Sequence, residues 1–262
     1  MGSSFALALK KSGPGHVVIG SDRDPRTVQK AIERGVVDSA GTELDVVGVA
    51  DVVVLCVPIM AMRDMLARLA GKVSGKAVTD VASTKAEVMG WARSAGVDLV
   101  GGHPMCGREA SGIDAADPQL FKGAPWILTE NRPEVTALVD AVGARPLVMS
   151  AADHDRLVAG VSHAAFMVSV AYVLSLSSRA DWPEASRVAA SGFRDMSRLA
   201  AGDPQMYAAI ASTNRVQLLE QLDQVSAALT RLRRHLDADD PRLVELFEEA
   251  RSVRERWAKS AQ

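Results

Sequence analysis

The sequence predicts an α/β domain built on a parallel sheet, followed by an all-helical domain. Up to about Met149, short β-branched runs alternate with amphipathic stretches, and after Ser150 the strand signals stop. Such alternation favours parallel strands covered by helices on both faces of the sheet. We therefore predict a strand-bearing domain over residues 1–150 and a helical domain over residues 151–262.

Each β-branched run of the first half predicts a strand, and each amphipathic stretch between two runs predicts a helix. The predicted strands are residues 17–19, 52–57, 77–81, 99–101, 126–128 and 146–149. The predicted helices are residues 25–34, 61–69, 85–95 and 133–142. In the second half, Gly-Asp-Pro at 202–204 and Asp-Asp-Pro at 239–241 divide the helices.

A narrow apolar seam runs along the helical half. Its members recur at alternating spacings of four and three residues: Leu218, Leu222, Val225, Leu229, Leu232 and Leu236. This spacing is typical of helices packed side by side, within one subunit or between two.

Composition limits the classes of partner. With 30 basic and 32 acidic residues, the chain lacks the positive field that nucleic-acid binding requires. No apolar stretch approaches the ~20 uninterrupted residues of a membrane span, and no secretory signal is present. Two cysteines, Cys56 and Cys106, form neither a disulfide framework nor a zinc-binding pattern. We expect a cytoplasmic protein without a metal site.

The first residues indicate a nucleotide site. Gly2 opens a helical stretch that resembles the last glycine and first helix of a dinucleotide-binding turn. The preceding strand and two glycines are absent, so a tag remnant before an ordinary helix is an equal alternative. We expect that the chain starts downstream of the complete protein's start and binds a dinucleotide poorly as it stands.

An acidic residue follows the first predicted strand and favours the nucleotide reading. Asp22 lies about 20 positions after the glycine turn, where a carboxylate accepts hydrogen bonds from the ribose hydroxyls of NAD. A solvated turn aspartate is the alternative, and Arg23 offers a partner for the 2′-phosphate of NADP. The sequence thus predicts a Rossmann-type doubly wound sheet that lacks its first strand and prefers NAD. Pro58, directly after residues 52–57, is a further candidate cofactor contact.

Two loops that follow strands carry the candidate chemistry. Ser83 follows the 77–81 strand at the sheet edge where open α/β sheets bind ligands, whereas Thr84 beside it is better explained as a helix cap. His103 lies in a glycine-rich loop after the next strand, and a histidine suits removal of a hydroxyl proton as hydride leaves carbon. Glu109 is placed to orient that histidine or close the site, or is a surface carboxylate.

Two arginines of the helical half suit a dicarboxylate substrate. Arg194 and Arg198 are four residues apart and would share one helix face. A solvated basic face, paired with Asp195 and Asp203, is the alternative that spacing alone slightly favours. His163, after Ser162, also stands out.

At these positions the chain resembles the prephenate dehydrogenase family over nearly its whole length. The matching segments are residues 2–11, 80–85, 103–112 and 192–214, of which the last two are specific. The resemblance implies that His103 is the catalytic base and that Ser83 contacts substrate and nicotinamide. It also implies that Arg198 binds a substrate carboxylate beside Arg194, and that the helical half forms a homodimer.

The chain departs from the family pattern in three places. Ser162-His163-Ala164-Ala165-Phe166 keeps only the first histidine of Ser-His-Leu-Pro-His, Arg108 replaces a small polar residue, and Tyr207 stands where tryptophan is frequent. The reaction class is expected to survive these changes, which put the side-chain specificity in doubt.

The resemblance implies NAD-dependent oxidative decarboxylation of prephenate to 4-hydroxyphenylpyruvate in tyrosine biosynthesis. Arogenate or an amino-substituted prephenate stays open as the substrate. A β-hydroxyacid dehydrogenase fits less well, because His103-Pro104-Met105 is not its signature. From another class, a cofactor-free dimeric paralogue with a binding or regulatory role is favoured only by the truncated glycine turn.

Overall fold

The computed structural model describes residues 1–13, 15–107 and 112–260. Its strands are β1 Ile19–Ser21, β2 Ser39–Gly41, β3 Val52–Leu55, β4 Ala77–Asp80, β5 Leu99–Val100, β6 Gly102–Pro104, β7 Pro125–Leu128 and β8 Arg145–Val148. The helices of the first half are α1 Gly2–Ser12, α2 Pro25–Glu33, α3 Ile59–Leu69, α4 Ala86–Ala95 and α5 Pro133–Ala141.

Helices alone make up the described part of the second half. They are α6 Ala151–Val158, α7 Ala164–Ser177, α8 Trp182–Arg187, α9 Ser191–Ser197, α10 Pro204–Thr213, α11 Arg215–Asp237 and α12 Arg242–Ser260. A π-helical turn over Ala159–His163 joins α6 to α7, and a 3-10 turn over Arg198–Ala201 follows α9. The predicted α/β half followed by a helical half is confirmed.

The strands form three small sheets. β1 pairs with β2 in parallel, β3, β4 and β5 are parallel in that order, and β7 joins β8 in parallel. β6 instead runs antiparallel to β7, so the prediction of an all-parallel sheet is corrected there. Neither β2 nor β6 was predicted as a strand, because Ser-Ala-Gly and Gly-His-Pro lack β-branched residues.

Two apolar clusters hold the strand-bearing half together. In the first, α3 and α4 pack on β3 and β4 through residues such as Met62, Leu66 and Val88. In the second, Phe5 of α1 packs against Phe121 and Trp126, with ring centroids 5.9 and 5.5 Å away. The strand β4 between them ends in a buried polar residue, Asp80.

The chain forms two compact units, Met1–Gln217 and Leu218–Gln262. The helices α6 to α10 thus belong to the same unit as the strands. The predicted domain division after residue 150 stays a prediction.

One run of the described chain is long and apolar enough to cross a membrane by length and composition. It is Ala151–Ser177, with a mean hydropathy of 1.9 and 33% of its apolar window buried. The sequence prediction counted only uninterrupted apolar residues, and Ser162 and His163 interrupt this run. Its first turns carry buried polar side chains that bond to the strand-bearing half.

Candidate active site

A buried carboxylate ends the central strand β4. Asp80 accepts hydrogen bonds from the backbone N–H groups of Gly102 and Ala82, both at 2.9 Å, and forms a salt bridge with Lys85. The carboxylate thereby ties the loop after β4 to the start of β6. This bond places the two loops predicted to carry the chemistry side by side.

Lys85 is fully buried and was missed by sequence reasoning. Its Nζ donates to Asp80 and to the Gly102 carbonyl oxygen at 2.7 Å. Burial lowers the pKa of Lys85, and the Asp80 carboxylate opposes that shift. A buried ammonium is tolerated only when paired in this way. The sequence signal was a lysine directly after Ser83-Thr84, at the end of an apolar strand.

Gly102 brings these groups close because it has no side chain. A Cβ added there would lie 2.4 Å from the Asp80 carbonyl oxygen, far inside contact distance. Only glycine fits at this position without a backbone shift. The close approach fixes where the next residue, His103, enters the site.

His103 lies on β6 rather than in a loop and is 7% exposed. Its Nδ1 is 2.8 Å from Nε2 of His154. Burial first, and then the nearby His154, Lys85 and His163, hold the pKa of His103 well below its usual range. The ring is therefore neutral near pH 7, as a base that accepts a proton must be.

His154 and Asp155 of α6 complete this set, and sequence reasoning missed both. His154 Nδ1 lies 2.7 Å from Asp155 Oδ1. The Asp155 carboxylate also accepts the backbone N–H groups of Lys85 and Ala86, each at 2.8 Å, at the start of α4. The only sequence signal was a His-Asp pair in the first turns of a helix that Ser150 caps.

Ser83 and Thr84 lie between these groups. Ser83 is half-buried, on the loop that Asp80 and Lys85 fix. The interpretation of Thr84 as a helix cap was wrong: α4 has no side-chain cap, and the Thr84 hydroxyl pairs with that of Thr213 at 2.9 Å. The threonine therefore links the loop to α10.

His163 is brought to the same region by Asn214. The Asn214 amide nitrogen donates to the Asp155 carbonyl oxygen at 2.8 Å and lies 3.2 Å from His163 Nδ1. His163 Nε2 is buried and makes no hydrogen bond within the described residues. Burial lowers the pKa of His163 to about 4, although Asp155 opposes the shift.

Phe166 stands where the family pattern has its second histidine. Its ring stacks on Tyr207, with centroids 3.4 Å apart and planes 5° apart. Two of the three departures from the family pattern thus meet in one contact, between Phe166, three residues beyond His163, and Tyr207. Phe166 thus puts an aromatic ring, stacked on Tyr207, where the family pattern has a polar histidine.

Arg194 and Arg198 lie on different helical segments, whereas the sequence predicted one helix face for both. α9 ends at Ser197, and Arg198 begins the 3-10 turn, so the two residues do not share one regular helix. Both are exposed in the single chain. Arg194 lies 3.8 Å from Asp195, an ion pair that the alternative of a solvated basic face predicted.

The predicted cofactor residues lie at strand and helix ends. Asp22 follows β1 and accepts the Asp24 backbone N–H at 2.9 Å, and Arg23 beside it is exposed. Pro58 is the residue before α3. A Cβ on Gly2 would lie 3.1 Å from that of Cys56, and no side chain caps α1. These residues fit a dinucleotide whose phosphates approach the start of α1.

Two of the positions singled out in the sequence fall outside the described residues, namely Glu109 and Arg108. Among residues 1–13, 15–107 and 112–260, no group of three or more His, Cys, Asp or Glu side chains is arranged to hold a metal ion.

The chain matches two family descriptions. Residues 5–145 match the prephenate dehydrogenase nucleotide-binding domain, and residues 150–249 match the prephenate dehydrogenase dimerization domain.

Individual relatives agree. A prephenate dehydrogenase of Lactococcus lactis is 32% identical over 97% of this chain and 74% of the relative. The structure of arogenate dehydrogenase from Synechocystis is 32% identical, with a TM-score of 0.84 over 97% of this chain and 95% of that one. Prephenate dehydrogenase from A. aeolicus, in complex with hydroxyphenyl propionate and NAD+, is 28% identical, with a TM-score of 0.90 over 97% and 93%.

Proposed function

Because the chain belongs to the prephenate dehydrogenase family, and is therefore an oxidoreductase, we propose that it catalyses the NAD-dependent oxidative decarboxylation of prephenate to 4-hydroxyphenylpyruvate. The observation that carries the proposal is the state of His103. The ring is buried and neutral, and one of its nitrogens is committed to His154. The other nitrogen, Nε2, is left for a substrate hydroxyl.

In the proposed reaction, His103 Nε2 accepts the proton of the C4 hydroxyl. The acceptor of the hydride from C4 would be bound NAD. Loss of the ring carboxylate as carbon dioxide then makes the ring aromatic. Burial first, and then His154 and the Lys85 ammonium, keep His103 neutral beforehand, so the base starts in the form that accepts a proton.

The remaining site residues position the reactants. Arg198, beside Arg194, supplies a guanidinium for a carboxylate, which fixes the ring face presented to the nicotinamide. Ser83 is placed by its loop to touch both reactants. His163 is neutral, and its Nε2 is the atom of that ring left to contact the substrate.

The proposed cofactor preference rests on Asp22, a carboxylate at the end of β1 that suits a free ribose diol. The relative from A. aeolicus was solved with NAD+. Gly2 and Pro58 would line the same site, at the start of α1 and before α3. Arg23 is the residue that would shift the preference toward NADP.

A homodimer belongs to the same proposal. Apolar side chains of α11 and α12 remain open to solvent in the single chain, among them Leu229, Leu236, Phe247 and Trp257. A second copy would cover them, as the match to a dimerization domain favours. Both cysteines are free thiols, which suits the cytoplasmic location that we propose.

Arogenate is the second candidate substrate, favoured by the Synechocystis relative. Phe166 stands where the family pattern has a histidine, so we expect any change in side-chain specificity to arise at this position. An amino-substituted prephenate differs at C4, where His103 would meet an amino group instead of a hydroxyl.

The test measures kcat/KM for prephenate and arogenate with NAD and with NADP. We expect prephenate with NAD to be preferred, and His103→Asn to lower kcat at least ~100-fold with little change in NAD affinity. Near-normal turnover by His103→Asn would exclude His103 as the base. If the protein as the cell makes it binds no nicotinamide cofactor in a fluorescence titration, the cofactor-free paralogue replaces this proposal.

A further inference from the structure

A chain of hydrogen bonds leads from His103 into the protein interior. His103 Nδ1 lies 2.8 Å from His154 Nε2, and His154 Nδ1 lies 2.7 Å from Asp155 Oδ1. All three side chains are buried, and His154 has no exposed surface. The proposed reaction uses only His103, so it leaves the role of the two inner residues open.

The carboxylate at the inner end determines where the protons lie. Asp155 already accepts two backbone N–H groups, from Lys85 and Ala86. As an acceptor toward His154 too, it requires a proton on His154 Nδ1. In a neutral ring the other nitrogen is then an acceptor, so His154 Nε2 accepts a hydrogen bond from the N–H group at His103 Nδ1. His103 Nε2 is left unprotonated, which is the state of a base.

The charges around the two rings are unequal. His154, Lys85 and His163 face His103, and all three disfavour a positive charge on it. The Asp155 carboxylate faces His154 directly. A positive charge is therefore more stable on His154, next to the Asp155 carboxylate, than on His103.

We propose that His154 and Asp155 are positioning residues that hold His103 in its Nδ1–H tautomer, and that His154 takes up the positive charge formed during the reaction. The proton of the substrate hydroxyl binds His103 Nε2, while the proton on His103 Nδ1 passes to His154 Nε2. His103 stays neutral, and the imidazolium of His154 is paired with Asp155. After product release, His103 Nε2 gives its proton to water and Nδ1 regains its own.

The tautomer is tested directly on the whole protein without substrate. Ring nitrogens of ¹⁵N-labelled histidine report which nitrogen carries a proton, and the chain has only five histidines. A spectrum of His103→Asn identifies the His103 signals. At pH 7.5 we expect Nδ1 protonated and Nε2 unprotonated in His103. The opposite tautomer overturns the inference, whatever the enzyme's substrate is.

The uptake of charge rests on the proposed function and is tested by two variants. His154→Gln keeps an acceptor for His103 Nδ1–H but cannot take a proton, whereas His154→Leu has neither ability. We expect kcat to fall at least ~30-fold in His154→Gln and further in His154→Leu, with KM within about threefold of wild type. The acid limb of the kcat/KM profile should move to lower pH in His154→Gln, because the positive charge of the protonated pair can no longer be held on His154 beside Asp155.

A matched control lies in the other compact unit, where His235 Nδ1 is 2.9 Å from Asp240 Oδ2. His235→Gln removes a histidine–aspartate pair of the second unit and should leave kcat and the acid limb unchanged. A folded His154→Gln with wild-type kcat and an unmoved acid limb overturns the uptake of charge. If wild type itself turns over neither substrate, the proposed function fails while the tautomer measurement still stands.

Discussion

His103 and His163 lie buried in one hydrogen-bonded set of side chains, and burial keeps both rings neutral near pH 7. For His103, neutrality is what proton acceptance requires. For His163, in the substrate contact that we propose, it means that the ring brings no charge and offers only a hydrogen bond. This arrangement lowers the free energy of unfolding at acid pH.

We expect the free energy of unfolding to fall between pH 7 and pH 5 because of His163. Its pKa is about 4 in the folded chain, against ~6.5 when unfolded. The unfolded state therefore binds a proton first as pH falls below ~6.5, and stability drops until pH falls through the folded pKa. At pH 5 the loss from this residue is about 2 kcal/mol.

Denaturant unfolding at the two pH values, for wild type and His163→Gln, isolates this contribution. The glutamine does not titrate, so the variant should lose about 2 kcal/mol less than wild type over the same interval. Equal losses in the two proteins would mean that His163 is protonated in the folded state.

At the scale of elements, the strand β6 controls the site by how closely it approaches β4. Gly102 allows its backbone to touch the Asp80 carbonyl, and its own carbonyl receives the Lys85 ammonium. His103 is thus set on a short strand, which pairs with β7 and is bonded to Asp80 and Lys85, rather than on a loop. A strand held in this way leaves the His103 ring little freedom to move.

Gly102→Ala should therefore destabilise the fold and misplace His103, the base that we propose. The added Cβ must displace backbone, so we expect a loss of about 2–3 kcal/mol in unfolding free energy and a lower kcat. Gly48→Ala is the control, since nothing lies within 4 Å of a Cβ there. A Gly102→Ala variant as stable and active as Gly48→Ala would mean that β6 shifts freely.

Helices and strands could be predicted from the sequence where the types of side chain alternate. They could not be predicted where the pairing of a strand depends on residues far away in the chain. The composition of runs such as Val52–Leu55 predicts a strand. β6 has no such signal, because its pairing to β7 depends on residues 22 or more positions away. Likewise His103 was predicted from its glycine-rich surroundings, whereas Lys85, His154 and Asp155 are defined only by partners that folding brings to them.

At the scale of the whole molecule, the unit Leu218–Gln262 carries the seam predicted from the spacing of its leucines. Leu218 is buried, but Leu229 and Leu236 are 60% and 69% exposed in the single chain. Two long helices with open apolar faces are more costly in water than when covered. A second copy is the occupant that we propose.

Leu229→Glu should weaken this association. A carboxylate in an apolar interface must be desolvated without a partner, so the mass measured by sedimentation should shift toward that of a monomer at micromolar concentration. Gln224→Glu, on an exposed polar position of α11, adds the same charge and should leave the mass unchanged. An unchanged mass for both variants would place the dimer contact elsewhere.

The path from β6 through α6 to the start of α4 has a consequence for recombining relatives of this chain. His103 comes from the strand-bearing half, and its proton pattern is dictated by Asp155, which follows residue 150. On our proposal, a chimera that joins the first half of one homologue to the second half of another inherits His103 and the residues that set its tautomer from different parents. Such an exchange preserves turnover only if the helix after the crossover again presents His and Asp to the incoming strand.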